Sequence, residues 1–201
     1  MTSKRATIAD TSQEIDTLTA RAQRVAEHLG DLARPLPAVQ CLTTVPGVGV
    51  LTATALVAFV GDIRRFRSGR DFAAYLGLTP REYSTGSVRR LGRITKRGNR
   101  YLRMLLVHGA RSALWAGKRS PAPDNLRTWA LDLQRRKGHN VAAVALANKL
   151  ARICWRVWKD ERPFQDPRGR LRPRSVQNYN SELRERSCRW QTGLTGVGTC
   201  R

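Results

Sequence analysis

Residues 79–103 read TPREYSTGSVRRLGRITKRGNRYLR. Two adjacent hydroxyls, Ser84 and Thr85, precede Gly86. Around them stand Arg81, Arg89, Arg90, Arg93, Lys96, Arg97, Arg100 and Arg103, against one acid, Glu82. A serine in such a stretch is commonly a turn former. No GxSxG elbow and no Ser/His/Asp set points to a hydrolase. The cations give the hydroxyl a second reading. They would bind a phosphodiester and stabilise the charge of a pentacovalent phosphorus, lowering the barrier to attack by an alkoxide. That chemistry suits DNA phosphoryl transfer through a covalent phosphoserine, which conserves bond energy for strand exchange.

A second constellation is Val45-Pro46-Gly47-Val48-Gly49. It resembles the turn of a helix-hairpin-helix, hydrophobic-Pro-Gly-hydrophobic-Gly. Glycines let the backbone turn and pack where a Cβ would forbid it. The N–H groups opening the next helix would then face a phosphate. The alternative is a tight αα-corner without a ligand. Pro46, Gly47, Val48 and Gly49 therefore join the cations as candidate nucleic-acid contacts.

The elements that must position these residues read as helices. Ile15, Leu18, Ala22, Val25, Leu29 and Leu32 are spaced 3, 4, 3, 4, 3, a heptad seam within residues 8–32. It predicts either a self-associating coiled coil or an amphipathic helix lying on the domain. Asp10, Thr11 and Ser12 are candidate starts, and Gly30 with Pro35 and Pro37 a candidate end. A short helix to Thr44 and an Ala-rich helix to Val60 flank the Pro-Gly turn. Ser68 caps a helix reaching Leu76, with Gly77 as its stop. YSTGS is a plausible hairpin turn inside residues 81–96. Asn99 starts a helix through about Trp115. Arg97, Arg100 and Arg103 near its beginning oppose the helix dipole unless an anion sits there. Helices over 126–136 and from His139 onward complete the domain. Trp155 and Trp158 border the last apolar stripe, where packing competes with base stacking. The expected fold is mainly α. A coiled-coil segment (1–35) precedes a helical domain (36–162), and a basic tail without periodicity (163–201) is expected to be disordered.

Bulk composition sets the partner class. The 201 residues carry 37 Lys and Arg against 15 Asp and Glu, a net charge of +22. Nucleic acid is the default polyanion, because phosphate contacts release condensed counterions. No apolar run is long enough to span a membrane, and the N-terminus lacks the apolar core of a secretory signal. Cysteines 41, 154, 188 and 200 show no CxxC spacing and the three histidines are scattered. That argues against zinc and for free thiols in a reducing, cytoplasmic and nucleoid-associated setting.

Five marks together are specific: PGVG (46–49), FRSGRDFAAYLGLTP (66–80), REYSTG (81–86), GRITKRGNRYLR (92–103) and LVHGAR (106–111). On them, residues 36–160 resemble the C-terminal half of transposases of the IS110 family of bacterial insertion sequences, particularly its IS1111 branch. The heptad segment resembles that family's connecting coiled coil. The resemblance implies a helical domain bearing a catalytic serine, joined in family members to an N-terminal RNase-H-like domain with four acidic ligands (a DEDD set) for Mg²⁺. It implies that the two act together across subunits in DNA cleavage and exchange, and that a structured noncoding RNA guides them. Ser84 matches the family's serine by position, with Thr85 as the alternative hydroxyl.

Three departures stand out. The sequence begins at the heptad segment, without the acidic domain. Ser87 occupies a place where the family has Gly. The tail after residue 165 is unlike the family's. Together they read as a truncated or frame-shifted remnant that binds nucleic acid without completing transposition, and no cofactor is expected in this chain. The competing reading from another class is a noncatalytic helix-hairpin-helix nucleic-acid-binding protein in which Ser84 only shapes a turn. A basic structural or ribosome-associated protein has only the charge in its favour.

Overall fold

The computed structural model describes residues 2–88 and 90–165. Arg89, the tail from 166 onward, and with it Cys188 and Cys200, lie outside the described residues. Seven α-helices and one small antiparallel sheet account for the described architecture, so the fold is mainly α. The helices are α1 (Thr2–Ala33), α2 (Pro37–Thr43), α3 (Val50–Val60), α4 (Gly69–Tyr75), α5 (Arg100–Arg119), α6 (Asn125–Lys137) and α7 (His139–Asp160). Strands β1 (Pro80–Glu82) and β2 (Leu91–Ile94) stand between α4 and α5.

The centre of the molecule is α7. Its Ala- and Leu-rich face packs against α2, α4, α5 and α6. Leu146, Leu150 and Cys154 are fully buried. Small residues at Ala143, Ala147 and Ala151 let the neighbouring helices approach, and the leucines fill the remaining space. Trp155 and Trp158 are buried as well, and the Trp155 indole N–H donates to the Phe66 carbonyl at 3.2 Å. Both indoles therefore pack, as the apolar stripe favoured. Phe66 meets Phe72 edge-on, with centroids 5.2 Å apart. Each fully buried aromatic or aliphatic side chain here removes enough apolar area from water to contribute roughly 1.5–3 kcal/mol.

Local signals set most helix ends. Ser68 and Asp71 form a reciprocal capping box on α4, and Gly77 follows with φ +69. Asn99 caps α5 by accepting from the Tyr101 and Leu102 N–H groups at 2.9 and 3.1 Å. Asp124 does the same for α6, accepting from Arg127 N–H at 2.7 Å.

The first helix departs from its expected ends. It begins at Thr2, so Asp10, Thr11 and Ser12 lie inside it rather than capping it, and Gly30 is internal. The Thr11, Thr17 and Thr19 hydroxyls donate to carbonyls four residues earlier. A mid-helix threonine satisfied in this way no longer competes with the helix. Only the C-terminal end of α1 joins the core, through Leu29 and Ala33, against α3. Ile15, Leu18, Val25 and Leu32 of the heptad pattern remain largely exposed.

Candidate nucleic-acid and phosphoryl-transfer site

The cationic segment forms a hairpin whose root is clamped and whose tip stands in solvent. At the root, Leu78 N–H donates to Ala73 O at 3.0 Å, and the Asn148 side chain of α7 donates to Leu78 O at 2.9 Å. Across the root, Lys96 N–H reaches Gly77 O (3.1 Å) and Thr95 N–H reaches Thr79 O (2.9 Å). Gly98 has φ +116, and a Cβ there would overlap the Tyr75 carbonyl. Lys96 holds the left-handed conformation, φ +56, with a side chain attached. Such a backbone persists in a non-glycine residue only where its surroundings fix it.

Beyond the root, β1 pairs with β2 through Pro80–Ile94 and Glu82–Leu91, with a bulge on β2. Tyr83 N–H donates to Arg90 O at 2.9 Å, and Thr85 and Val88 bridge through both backbone bonds. Gly86 and Ser87 form the two-residue loop. Gly86 takes φ +58, which hairpin loops of this length require. Every residue from Arg81 to Val88 is exposed.

Within this tip the Ser84 hydroxyl donates to Glu82 Oε1 at 2.7 Å, and Arg90 N–H donates to Ser84 Oγ at 3.2 Å. The oxygen thus has a carboxylate on its proton side and a fixed amide on its lone-pair side. Arg81, Arg90, Arg93, Lys96, Arg97 and Arg100 are all exposed around it or along the path into α5. Arg103 differs. It is half-buried, and its guanidinium donates to Leu76 O at 2.9 Å, stopping the end of α4. Asn99 already holds two amides of the α5 N-terminus, so the outward positive charge at this end is carried by side chains.

The Pro-Gly turn sits elsewhere. Val45 and Val48 are buried, and Gly47, at φ +82, lies against Gly109 in the middle of α5. From Arg100 to Gly109 the helix rises about 14 Å at its usual 1.5 Å per residue. Helix α5 therefore carries the hairpin at its start and the turn at its middle. Of the candidate residues, the structure places Arg81, Ser84, Thr85, Arg90, Arg93, Lys96, Arg97 and Arg100 exposed along the hairpin and the segment that leads into α5. Pro46, Gly47, Val48 and Gly49 are set apart as a packed corner.

The matching family description is a transposase family, IS116/IS110/IS902, over residues 39–123. A probable family 20 transposase of Pseudomonas aeruginosa is 44% identical over 154 residues, covering 77% of this chain and 45% of that protein. The transposase of insertion sequence element IS1111A from Coxiella burnetii is 44% identical over 136 residues, 64% of this chain and 37% of its own length. The chain belongs to the IS110 transposase family. The pilin gene-inverting protein of Moraxella lacunata, a DNA-rearranging relative by its name, is 30% identical over 125 residues, 61% of this chain and 37% of that protein. The chain spans less than half the length of these relatives.

The Mg²⁺ that the family resemblance brings with its acidic set finds no fit here. Among the described residues no group of three or more His, Cys, Asp or Glu side chains could hold a metal ion. No helix among them is long and apolar enough to cross a membrane. Sequence reasoning misses one residue with a chemical position. Glu82 stands out as the lone acid of the segment but gains no role from composition alone. The available signal is its i, i+2 spacing to Ser84, which on an extended strand puts both side chains on one face.

Proposed function

We propose that this chain is the serine-bearing nucleic-acid-handling domain of an IS110-type DNA recombination system. The observation that carries the reading is the Ser84 hydroxyl, on an exposed residue near the tip of a clamped hairpin whose charged side chains, Glu82 apart, are all cations. Exposed arginines along β1, β2 and the start of α5 bind the phosphodiester backbone. Ser84 Oγ attacks the phosphorus and forms a phosphoserine link to one DNA end, releasing the other as a hydroxyl. Buried lining would block access of a duplex, and nothing buries this oxygen. A field of one sign suits a structured guide RNA equally well, because A-form helices are read through their phosphates and sugars. The heptad face of α1, exposed at Ile15, Leu18 and Val25, pairs with another copy, bringing two hairpins to one DNA.

The test is a suicide DNA substrate, nicked so that the released end diffuses away. Mass spectrometry of the tryptic digest is expected to show DNA on the peptide holding residue 84. Ser84→Ala removes the adduct with affinity changed less than about twofold, since the side chain supplies little binding of its own. An adduct that survives in Ser84→Ala and disappears in Thr85→Val moves the role to Thr85. Tight binding with no adduct on either hydroxyl leaves the noncatalytic nucleic-acid-binding reading in its place.

A further inference from the structure

Within the hairpin, Glu82 and Ser84 occupy alternate positions and project on the same side. The Ser84 O–H points at Glu82 Oε1 across 2.7 Å, a length within the charge-assisted O–H···O range. The opposite flank of the same oxygen receives the Arg90 N–H at 3.2 Å. The Arg90 carbonyl, in the next peptide unit, accepts from Tyr83 N–H at 2.9 Å and ties this residue to the opposite strand. One hydroxyl therefore has both a proton acceptor and a donor aimed at the charge that develops when the proton leaves. Thr85 has neither advantage. Alternation turns its side chain to the other face of the hairpin, and its backbone is engaged with Val88.

We infer that Glu82 is the general base of this site and that the Arg90 amide stabilises the Ser84 alkoxide. The inference rests on the serine reading above. As Oγ approaches phosphorus, its proton passes to Glu82 Oε1. The Oγ–P bond forms with the Oγ electron pair, and the bond from phosphorus to the departing oxygen breaks with its pair leaving on that oxygen. For a nucleotide leaving group the departing oxygen takes a proton from water, and Glu82 returns its own to solvent. The arginines offset the added negative charge on phosphorus. The bland account of the pair is a strand-edge hydrogen bond that only shapes the turn. The carboxylate on the proton side of the oxygen favours the chemical one, because a turn-forming serine is satisfied by the backbone amide alone.

The decisive probe is thymidine 5′-(4-nitrophenyl phosphate), an activated phosphodiester whose nitrophenolate leaves unprotonated and is read by absorbance. With the full chain in excess, the wild type is expected to release one burst. Glu82→Gln still accepts a hydrogen bond but takes no proton, and its burst is expected about 100-fold slower, the low end for a lost general base. Thr85→Val is expected within about threefold of wild type, since that hydroxyl has no part in the transfer. Glu82→Ala is expected to be equally slow, and added formate, a base small enough to enter the gap, should restore it at least about tenfold. Thermal melting and circular dichroism of each variant establish that it is folded. A Glu82→Gln burst near the wild-type rate, with Ser84→Ala silent, overturns the base assignment and leaves the serine intact. A slow Glu82→Ala that formate does not restore assigns Glu82 a shaping role and also overturns it. A burst that persists in Ser84→Ala, or none from the wild type, removes the serine reading and this inference together.

Discussion

Gly47 and Gly109 meet backbone against backbone. A Cβ on Gly47 would overlap the Gly109 carbonyl, and a Cβ on Gly109 would overlap the Gly47 carbonyl. The turn between α2 and α3 is thus seated on the middle of α5, the helix that carries the cationic hairpin at its start. Gly109→Ala tests this approach, because Gly109 has ordinary helical backbone and its new Cβ meets the Gly47 carbonyl, against a helix-propensity gain of up to about 1 kcal/mol. Overpacking of this kind is expected to cost about 1–3 kcal/mol in urea unfolding. Gly47→Ala is expected to cost more. It adds a left-handed backbone for a residue with a Cβ, about 1–2 kcal/mol. A raised urea midpoint for Gly109→Ala, the propensity gain without the clash, would mean that the corner and α5 can separate freely.

The exposed cations should act through phosphate contact and not through base identity. Arg93→Gln and Arg97→Gln are expected to weaken binding to unrelated duplexes alike. Removing one cation from one phosphate makes the plot of log affinity against log salt shallower by about 0.9 for B-form DNA. Lys96 allows a sharper version. Its φ of +56 is one that glycine adopts without strain. Lys96→Gly should therefore remove the charge and its salt slope while stability holds within about 1 kcal/mol, flexibility offsetting relieved strain. Fluorescence anisotropy over a salt series, beside urea unfolding, reads both. A salt slope that stays constant in all three variants would place the DNA on another surface.

Arg103 belongs to the same basic run yet should behave in the opposite way. Its guanidinium is half-buried on the Leu76 carbonyl, which it ties to α5. Arg103→Met keeps the apolar stem and leaves that carbonyl without its donor. The expected loss is about 1–3 kcal/mol of stability, the cost of a part-buried acceptor left unpaired. Its salt slope should change less than that of Arg97→Gln. A slope shallower by a full unit, with no fall in stability, would show that Arg103 faces the nucleic acid instead.

Some of this is readable from short stretches of sequence, and some is not. The Ser68 capping box, the Asn99 cap and the Ser-Thr-Gly hairpin each depend on residues within a few positions, so their signals are local. The division of labour between Arg97 and Arg103 is different in kind. Arg103 is assigned by a carbonyl 27 residues away, and periodicity carries no information about that pairing. The Pro-Gly turn shows the same limit. Its glycines announce a close approach, and both a phosphate and a helix backbone satisfy the requirement. Gly109, a glycine inside α5, makes the close approach to Gly47, and no side chain caps the N–H groups that begin α3. The ends of α1 escape local reading for a third reason. Asp10, Thr11 and Ser12 have the chemistry of caps, but a hydroxyl that bonds back to its own helix fits the interior as well.

The buried thiol of Cys154 offers a test of the core that is independent of nucleic acid. Full burial against α7's neighbours removes water from any thiolate, so desolvation pushes its pKa up to about 12 from 9.0. Below pH 9 the thiol is protonated in folded and unfolded chains alike, and stability does not depend on it. Above pH 9 the unfolded chain loses the proton while the folded chain retains it, so unfolding becomes easier as pH rises. The slope approaches 1.36 kcal/mol per pH unit between about 9 and 12. Cys154→Ala removes that slope component, at a separate fixed cost for the space it vacates. Urea unfolding of both proteins at pH 8 and pH 10 isolates the difference. The wild type is expected to lose roughly 1 kcal/mol more than the variant over that interval. Equal losses would mean that the thiol is reached by water, and that α7 is less tightly enclosed than its packing implies.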